Sequence, residues 1–217
     1  MTSAAAPLCA VLFDYGKVLS LPADEFAMTH IRQLTGLSEA ALHHSYWAHR
    51  DNYDRGTLTG TDYWRTIARE HSITLDDATL TSLLAADIDV WGGINQPMLD
   101  FAQRLQRRGI RTGILSNIGD AMEAGLRARY PWIAEFNHCT WSHNQRTIKP
   151  DAAIYRCAVE GLACEPGSVL FIDDKEKNVA GAIAAGLQAI LYTTYEQFEA
   201  ELRMRGLGSL LDDSPIG

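Results

Sequence analysis

The feature that most constrains the fold is a regular alternation of short apolar runs and amphipathic helices after Pro97. The runs IRTGILSN, FNHCTW, GSVLFIDD and LQAILY are predicted strands, and one predicted helix separates each from the next. Strands joined by single helices form a parallel sheet with right-handed crossovers. Together with the apolar run LCAVLF near the start, the pattern predicts an α/β fold with a doubly wound parallel sheet.

The segment between the first strand and this alternation has a different character. Residues 21–91 contain no predicted strand, and helix starts are indicated at LSEAAL, GTDYW and TLDDATL. About four helices are expected there. The sequence therefore predicts a core domain from residues 1–20 and 92–217, with an α-helical cap domain at 21–91. The Gly92-Gly93 pair is a plausible hinge between them.

Composition limits the partners. The chain of 217 residues has a net charge of −8 and no Lys/Arg run, which argues against nucleic acid as a partner. No stretch of about 18 apolar residues is present that could cross a membrane. The apolar start lacks a basic n-region and is interpreted as a short tail before the first strand. We expect a monomer or homodimer that binds a small molecule.

The cysteine pattern gives a further expectation. The four cysteines show no CxxC spacing, and two of them, Cys9 and Cys157, lie in a predicted strand and a predicted helix. Such spacing does not suggest a zinc site. It predicts reduced thiols and a cytoplasmic protein.

Polar residues follow several of the predicted strands directly. Asp14, Ser116, Asp173 and Asp174 all stand at carboxyl ends of strands. In a doubly wound sheet, ligands bind at these ends, where the strand order reverses. One such residue is commonly a helix or turn cap, but four at one edge of a sheet indicate a binding site.

The motifs around these residues add a resemblance. In order, they are FDYGKVL, ILSN, TIKPDAAIY and LFIDDKEKN, each after a strand, with a helical insert after the first. Together they resemble the haloacid dehalogenase (HAD) superfamily along nearly the whole chain, which implies a Rossmann-like core with a small cap. Gly16 and the Asp173-Asp174 pair resemble a branch of sugar-phosphate phosphatases, close to the phosphatase domain of soluble epoxide hydrolases.

The resemblance implies a magnesium site. Asp14 corresponds to a nucleophile that accepts the phosphoryl group and also binds the metal. Asp174 corresponds to the second carboxylate ligand, and Asp173 would hold metal-bound water beside it. Mg²⁺ prefers such oxygen ligands and bridges the anionic nucleophile and phosphate. Asn178, one helical turn further on, is expected to orient Asp174 by a hydrogen bond.

The resemblance also assigns the residues that hold phosphate. Ser116 would offer its hydroxyl group and Asn117 its backbone N–H. Lys149 would supply a fixed positive charge that neutralises both the phosphate and the nucleophile.

Position 16 departs from the phosphatase pattern. Phosphatases of the superfamily carry a second Asp there, whose carbonyl binds the metal and whose side chain acts as general acid and base. Gly16 keeps the carbonyl group but lacks that acid, a contribution typically worth about 10²–10⁴-fold in rate. Three outcomes stay open: a slower enzyme that uses a good leaving group, loss of phosphatase chemistry, or an acid supplied by the cap. Candidates for that acid are Asp51, Asp54, His43, His44 and His49.

The cap contains a possible substrate-binding face. On one helix, Tyr46, Arg50 and Tyr53 share a face through their spacing, and Trp47 lies on the same face as Arg50. An arginine flanked by aromatic rings suits a sugar ring or a second anionic group. The alternative is that the rings pack the cap while Arg50 pairs with Asp54 on its surface.

The hypothesis from the sequence is therefore a Mg²⁺-dependent phosphatase of a small phosphorylated metabolite, such as a sugar phosphate. One alternative is a metal-independent hydrolase of the haloacid dehalogenase type, which attacks carbon. The Asp173-Asp174 pair argues against it, because two carboxylates without a cation would repel a substrate carboxylate. The other alternative is a non-catalytic protein that binds a phosphorylated metabolite.

Overall fold

The computed structural model describes residues 8–212. Its centre is a five-stranded, all-parallel sheet of order β3-β2-β1-β4-β5. The strands are β1 (Ala10–Phe13), β2 (Arg111–Ser116), β3 (His138–Trp141), β4 (Val169–Asp173) and β5 (Gln188–Leu191). Each was predicted from an apolar run, and the doubly wound α/β fold is confirmed.

The described residues form eleven α-helices. They are α1 (Glu25–Thr35), α2 (Glu39–Ala48), α3 (Arg50–Asp54), α4 (Gly60–Glu70), α5 (Asp77–Val90), α6 (Gln96–Arg107), α7 (Asp120–Arg129), α8 (Ser142–Gln145), α9 (Ala152–Gly161), α10 (Glu176–Ala184) and α11 (Tyr195–Met204). A π-helical turn covers Tyr15–Leu19, and short 3₁₀ helices cover Pro131–Glu135, Pro166–Ser168 and Gly208–Leu211. None of the helices within residues 8–212 is long and apolar enough to cross a membrane.

The sheet is buried on both faces, which explains why its strands are apolar runs and do not alternate with polar residues. In β1, Val11 and Phe13 pack into a cluster with α6 and α11. Ala10 and Leu12 point to the opposite face and pack with α9 and α10. The sheet is therefore a rigid base that fixes the positions of the strand ends.

The helices α1 to α5 all follow β1 and have an apolar core of their own, which includes Ile31, Leu42 and Trp64. A bridge between Ser20 and Ile94 joins the two ends of this segment. The helix expected through residue 53 is interrupted at His49, so the described part of the segment holds five helices instead of about four. The exact division at 21–91 stays a prediction.

The expectation of reduced thiols is wrong for two of the four cysteines. Cys9 and Cys164 form a disulfide, whereas Cys139 and Cys157 are free thiols. The two cysteines are 155 positions apart in the chain, and they meet because the loop after α9 lies beside the start of β1. Near the end of the described residues, Leu210 is buried in the core, since the 3₁₀ helix Gly208–Leu211 packs beside α6 and α11. Residues 1–7 and 213–217 lie outside the described part.

Candidate active site

The sheet topology brings two of the predicted site residues together. The strand order reverses between β1 and β4, which are neighbours at the centre of the sheet. Phe13 of β1 pairs with Ile172 of β4, so Asp14 and Asp173 follow at adjacent strand ends. Asp14 also continues the ladder, because its N–H donates to the Ile172 carbonyl group at 2.9 Å. The two carboxylates thus lie at the position expected for a ligand site.

Lys149 connects these two carboxylates. Its Nζ lies 2.7 Å from Oδ1 of Asp14 and 2.7 Å from Oδ2 of Asp173, and it donates to the Leu115 carbonyl group at 3.0 Å. The side chain is 1% exposed, so all of this charge is held away from water. A buried ammonium group is tolerated only with such partners. The charge that the sequence assigned to Lys149 is therefore fixed beside the proposed nucleophile.

Asp173 is held from several sides. Asn178 donates its side-chain N–H to both carboxylate oxygens of Asp173, at 2.9 and 3.0 Å, and the backbone N–H of Lys175 donates to Oδ1 at 2.8 Å. The expectation that Asn178 orients Asp174 is wrong. Asn178, in the first turn of α10, reaches the carboxylate of Asp173 at the end of β4. Asp174 is the first residue after that strand.

Asp174 is the freer of the two neighbouring carboxylates. Its side chain is 13% exposed, and among the described residues it pairs with Lys17, whose Nζ lies 3.6 Å from Oδ2. Sequence analysis did not single out Lys17, although it follows Gly16 directly. Its backbone has a φ of 59°, in the left-handed region, which turns it within the loop after β1.

The three aspartates Asp14, Asp173 and Asp174 can bring one carboxylate oxygen each within 4.8 Å of one another. All are hard oxygen donors, the type of ligand that Mg²⁺ takes. Two lysines partly offset their charge, Lys149 completely buried and Lys17 half-exposed. This donor set fits a divalent cation, which would neutralise the remaining negative charge.

Burial and charge act differently on the two innermost carboxyl groups. Burial raises the pKa of Asp14 to about 7, against the opposing effect of the Lys149 ammonium group. For Asp173, burial is outweighed by the charge and hydrogen bond of Lys149 and by the Lys175 and Asn178 donors, which hold the pKa below its usual range. In turn, the two carboxylates raise the pKa of Lys149 despite its burial. Asp173 and Lys149 therefore form the permanent ion pair, beside an Asp14 whose charge depends on its surroundings.

Ser116 and Asn117 stand at the end of β2, next to this ion pair. Both line the cavity above Asp14, and Ser116 is 4% exposed. The Asn117 side chain forms two hydrogen bonds with the Lys149 backbone, accepting from its N–H at 2.8 Å and donating to its carbonyl group at 3.1 Å. The asparagine side chain thus positions the loop that carries Lys149, a role that its motif did not reveal.

Gly16 lies in the π-helical turn directly after Asp14. Its φ of −63° and ψ of 123° are accessible to any residue. Apart from its chain neighbours, no atom lies within 4 Å of the position that a Cβ would take. Glycine is therefore not required here by sterics, and the absence of an acidic side chain leaves open space.

A cavity of about 500 Å³ rises from Asp14 between the sheet edge and the helices α1 to α3. Three of the predicted cap residues line it: Tyr46, Trp47 and Arg50. Tyr53 does not, because it is buried and stacked on Tyr63 with ring centroids 4.9 Å apart. Tyr53 is therefore a packing residue, since the break at His49 turns its ring into the core of the helical segment.

Arg50 keeps the predicted aromatic neighbours despite this break. Its guanidinium group lies 5.3 Å from the ring centres of both Tyr46 and Tyr53. Nε donates to Asp54 at 3.0 Å, and Nη1 lies 3.6 Å from Asp87. Arg50 does pair with Asp54, but the pair is buried and not on the surface as the alternative expected. Two carboxylates thus already match its charge.

The five acids considered for the cap have different surroundings. Asp51, Asp54 and His43 line the cavity, whereas His44 and His49 do not. The Asp54 carboxylate is engaged by Arg50, and His49 is paired with Glu70 at 2.6 Å. Trp91 also lines the cavity and was not predicted from the sequence. The one local signal was its position directly before Gly92-Gly93.

The comparison with known families agrees with this geometry. The model of the haloacid dehalogenase-like hydrolases matches residues 10–186. The chain therefore belongs to the haloacid dehalogenase-like hydrolase family, as the four motifs indicated.

Individual relatives are distant. Bifunctional epoxide hydrolase 2 of Sus scrofa is 32% identical over 102 residues, which are 45% of this chain and only 18% of that protein. The HAD family enzyme BT-2542 of Bacteroides thetaiotaomicron, solved with magnesium and inorganic phosphate, has a TM-score of 0.73 at 19% identity, over 88% of this chain and 98% of that one. The L-2-haloacid dehalogenase of Xanthobacter autotrophicus has a TM-score of 0.65 at 18% identity, over 90% and 82%. At such identities the structures show a shared fold.

Proposed function

We propose that the protein is a Mg²⁺-dependent phosphatase that hydrolyses a small phosphate monoester through an aspartyl-phosphate on Asp14. The observation that carries this proposal is the group of three carboxylates, Asp14, Asp173 and Asp174, beside the buried Lys149 at the closed end of the cavity. Such a group suits a reaction between a carboxylate and a phosphate only if cations offset both charges.

The protein's own residues supply the parts of the transfer. Asp14 presents Oδ1 to Lys149 and to the Tyr15 N–H at 2.7 Å each, which leaves Oδ2 as the attacking oxygen. Ser116 and the Asn117 backbone line the same cavity and are suited to hold the phosphate oxygens. Lys149 neutralises charge that builds up near Asp14 during transfer.

Asp14 and Asp174 would hold the magnesium ion together with the Gly16 carbonyl group, with Asp173 behind them. When bound, the cation favours the ionised form of Asp14 and offsets the charge of the phosphate. Burial raises the pKa of Asp14 to about 7 even with the Lys149 ammonium group beside it, so a second cation would favour the ionised nucleophile. BT-2542, which has the same fold, was solved with magnesium and inorganic phosphate, and this supports the proposal.

The alternative of carbon attack also has a structural neighbour, the L-2-haloacid dehalogenase. That enzyme and this chain share a fold, and a shared fold does not decide the reaction. Here the acidic group argues against a carboxylate-bearing substrate, because Asp174 adds a negative charge that Lys149 does not contact. A non-catalytic binding protein is favoured only by the missing acid at Gly16.

Phosphate release from a panel of monoesters, with Mg²⁺ or with EDTA, tests the proposal. We expect release with Mg²⁺ and its loss in EDTA. Release that is insensitive to EDTA would contradict the metal site. A binding protein would instead be stabilised by the monoesters against heat but release no phosphate, and chloride release from 2-chloropropionate would establish carbon attack.

A further inference from the structure

The buried wall of the cavity above Asp14 combines apolar surface with paired charges. Its buried apolar cap residues are Leu42, Tyr46 and Val90, and Met28 and Trp91 are half-buried. Its buried charged cap residues, Arg50 and Asp54, pair with each other at 3.0 Å. The organic part of a ligand whose phosphate reaches Asp14 therefore meets apolar surface and charges that already have partners.

Among the aromatic wall residues, Tyr15, Tyr46 and Trp91 have polar atoms that already form hydrogen bonds within the protein. The Tyr46 hydroxyl group donates to Asp87 at 2.6 Å and accepts from Arg50 at 2.8 Å and from Nε1 of Trp91 at 3.0 Å. The Tyr15 hydroxyl group donates to the Trp91 carbonyl group at 3.1 Å. A sugar needs free donors and acceptors for its hydroxyl groups, and these residues present only ring surfaces.

Trp47 is the exposed member of this aromatic wall. Its side chain is 44% exposed although it lines the cavity. Its ring lies edge-on to Tyr46, with centroids 5.2 Å apart, and to Trp91 and His43, each at 6.4 Å. A large apolar ring with water on one side provides an area that an aromatic ligand can cover.

Gly16 supplies an independent constraint on the leaving group. No atom other than its chain neighbours lies within 4 Å of its Cβ position, so no side chain takes the place of the acid that Gly16 lacks. A phenolic oxygen has a pKa near 10, as in tyrosine, and leaves without a proton far more easily than an aliphatic alkoxide. The missing acid therefore favours esters of phenols.

We propose that the substrates are aryl phosphates whose ring packs on Trp47 and Trp91. This inference concerns the substrate class of the proposed phosphatase and rests on that function. Asp14 attacks phosphorus, the ester P–O bond breaks, and its electron pair leaves on the aryl oxygen as phenolate, which takes a proton from solvent. Water then attacks phosphorus, the bond to Asp14 breaks, and the carboxylate returns with inorganic phosphate. The sugar phosphate expected from the sequence is the competing substrate class, which the tests below distinguish from aryl phosphates.

The leaving group is tested with para-substituted phenyl phosphates and with ethyl and hexyl phosphate, all with Mg²⁺. The readout is kcat/KM, which reports the step that expels the leaving group. We expect kcat/KM for phenyl phosphate to exceed that for either alkyl phosphate by at least about 10²-fold, the typical contribution of a general acid. Gly16→Asp should raise kcat/KM for the alkyl phosphates by about 10²-fold and that for phenyl phosphate by less than about tenfold.

The ring site is tested by binding, which needs no turnover. Phenylphosphonate, which cannot be hydrolysed at its P–C bond, should compete with substrate more tightly than methylphosphonate. In Trp47→Ala, the inhibition constant of phenylphosphonate should rise by about tenfold, with little change for methylphosphonate. The matched control is Phe26→Ala, an 88% exposed aromatic of α1 outside the cavity lining, which should leave both constants unchanged.

The outcomes separate this inference from the proposed function. If no monoester releases phosphate, the phosphatase itself is refuted. If phosphate is released but sugar or alkyl phosphates match phenyl phosphate, the aryl class is wrong while the phosphatase stands. Equal effects of Trp47→Ala on both phosphonates would likewise overturn the ring site.

Discussion

The Lys149 ammonium group lies 2.7 Å from Oδ1 of Asp14, with the lysine side chain 1% and the aspartate side chain 9% exposed. This contact joins the end of β1 to the loop before α9, although 134 residues lie between the two in the chain (149 − 14 − 1). Because the same ammonium group also contacts Asp173, it holds the ends of the two central strands together. The group that we propose to serve phosphoryl transfer thus also contributes to the stability of the protein.

Asp14→Asn should abolish turnover while the fold persists. The amide keeps the shape of the side chain and can still accept the Tyr15 N–H at Oδ1, but it cannot act as the nucleophile. We expect phosphate release to fall by at least about a thousandfold. Asp100→Asn, on the exposed face of α6, is the control that should retain activity. A well-folded Asp14→Asn protein with most of its activity would show that another residue attacks phosphorus.

Lys149→Met should destabilise the protein at neutral pH. The substitution leaves Asp173, whose pKa is held low largely by this lysine, as a buried charge without its partner. Breaking a buried ion pair typically costs about 3–5 kcal/mol. Urea unfolding in EDTA measures the change. The double variant Lys149→Met/Asp173→Asn should regain part of the loss, and Arg203→Met, in a surface pair with Glu199, should cost less than about 1 kcal/mol.

Magnesium should raise the melting temperature of the native protein, because a ligand that binds only the folded state stabilises it. The effect should depend on Asp174, the carboxylate that neither Lys149 nor Asn178 contacts. Thermal unfolding with about 10 mM Mg²⁺ and with EDTA measures this shift in the wild type and in Asp174→Asn. Asp77→Asn, at a position 99% exposed, should keep the full shift. A shift of equal size in Asp174→Asn would exclude this residue as a ligand.

Two glycines of the site region should respond in opposite directions to alanine. Gly16→Ala adds a methyl group to open space at an ordinary φ and should raise the free energy of unfolding by about 0.4–1 kcal/mol. At Gly119, a Cβ would lie 1.9 Å from the Tyr53 ring, so Gly119→Ala should cost at least about 1–3 kcal/mol. Chemical denaturation of both variants is the measurement. A loss in Gly16→Ala comparable to that in Gly119→Ala would contradict the described loop.

The Cys9–Cys164 disulfide should stabilise the folded protein. It closes a long loop between the start of β1 and the segment after α9, and such links typically contribute about 2–4 kcal/mol. Cys9→Ser should therefore lower the midpoint of urea unfolding under non-reducing conditions, and reductant should lower that of the wild type but not of the variant. Cys157→Ser removes a free thiol and serves as the control. Two free thiols at 9 and 164 after oxidative refolding would show that the pair does not form.

The sequence determined the sheet, the order of its elements and the positions of the carboxylates. All five strands were predicted from short segments of the sequence, and Asp14 follows β1 directly while Asp173 ends β4. Since parallel strands end at one edge, residues at their carboxyl ends converge whatever the details of packing. Lys149 was located by its motif, because no local pattern places a loop lysine between two strand ends.

Only the tertiary structure decided which side chains pair. It assigned Asn178 to Asp173 and not to Asp174, and it joined Cys9 to Cys164. It also buried the Tyr53 ring in the core of the helical segment, whereas Trp47 is exposed beside the cavity. Backbone periodicity fixes the face on which a residue lies, but the partner of a side chain depends on how separate elements pack. That information is carried by contacts between residues far apart in the chain, which no short stretch of sequence contains.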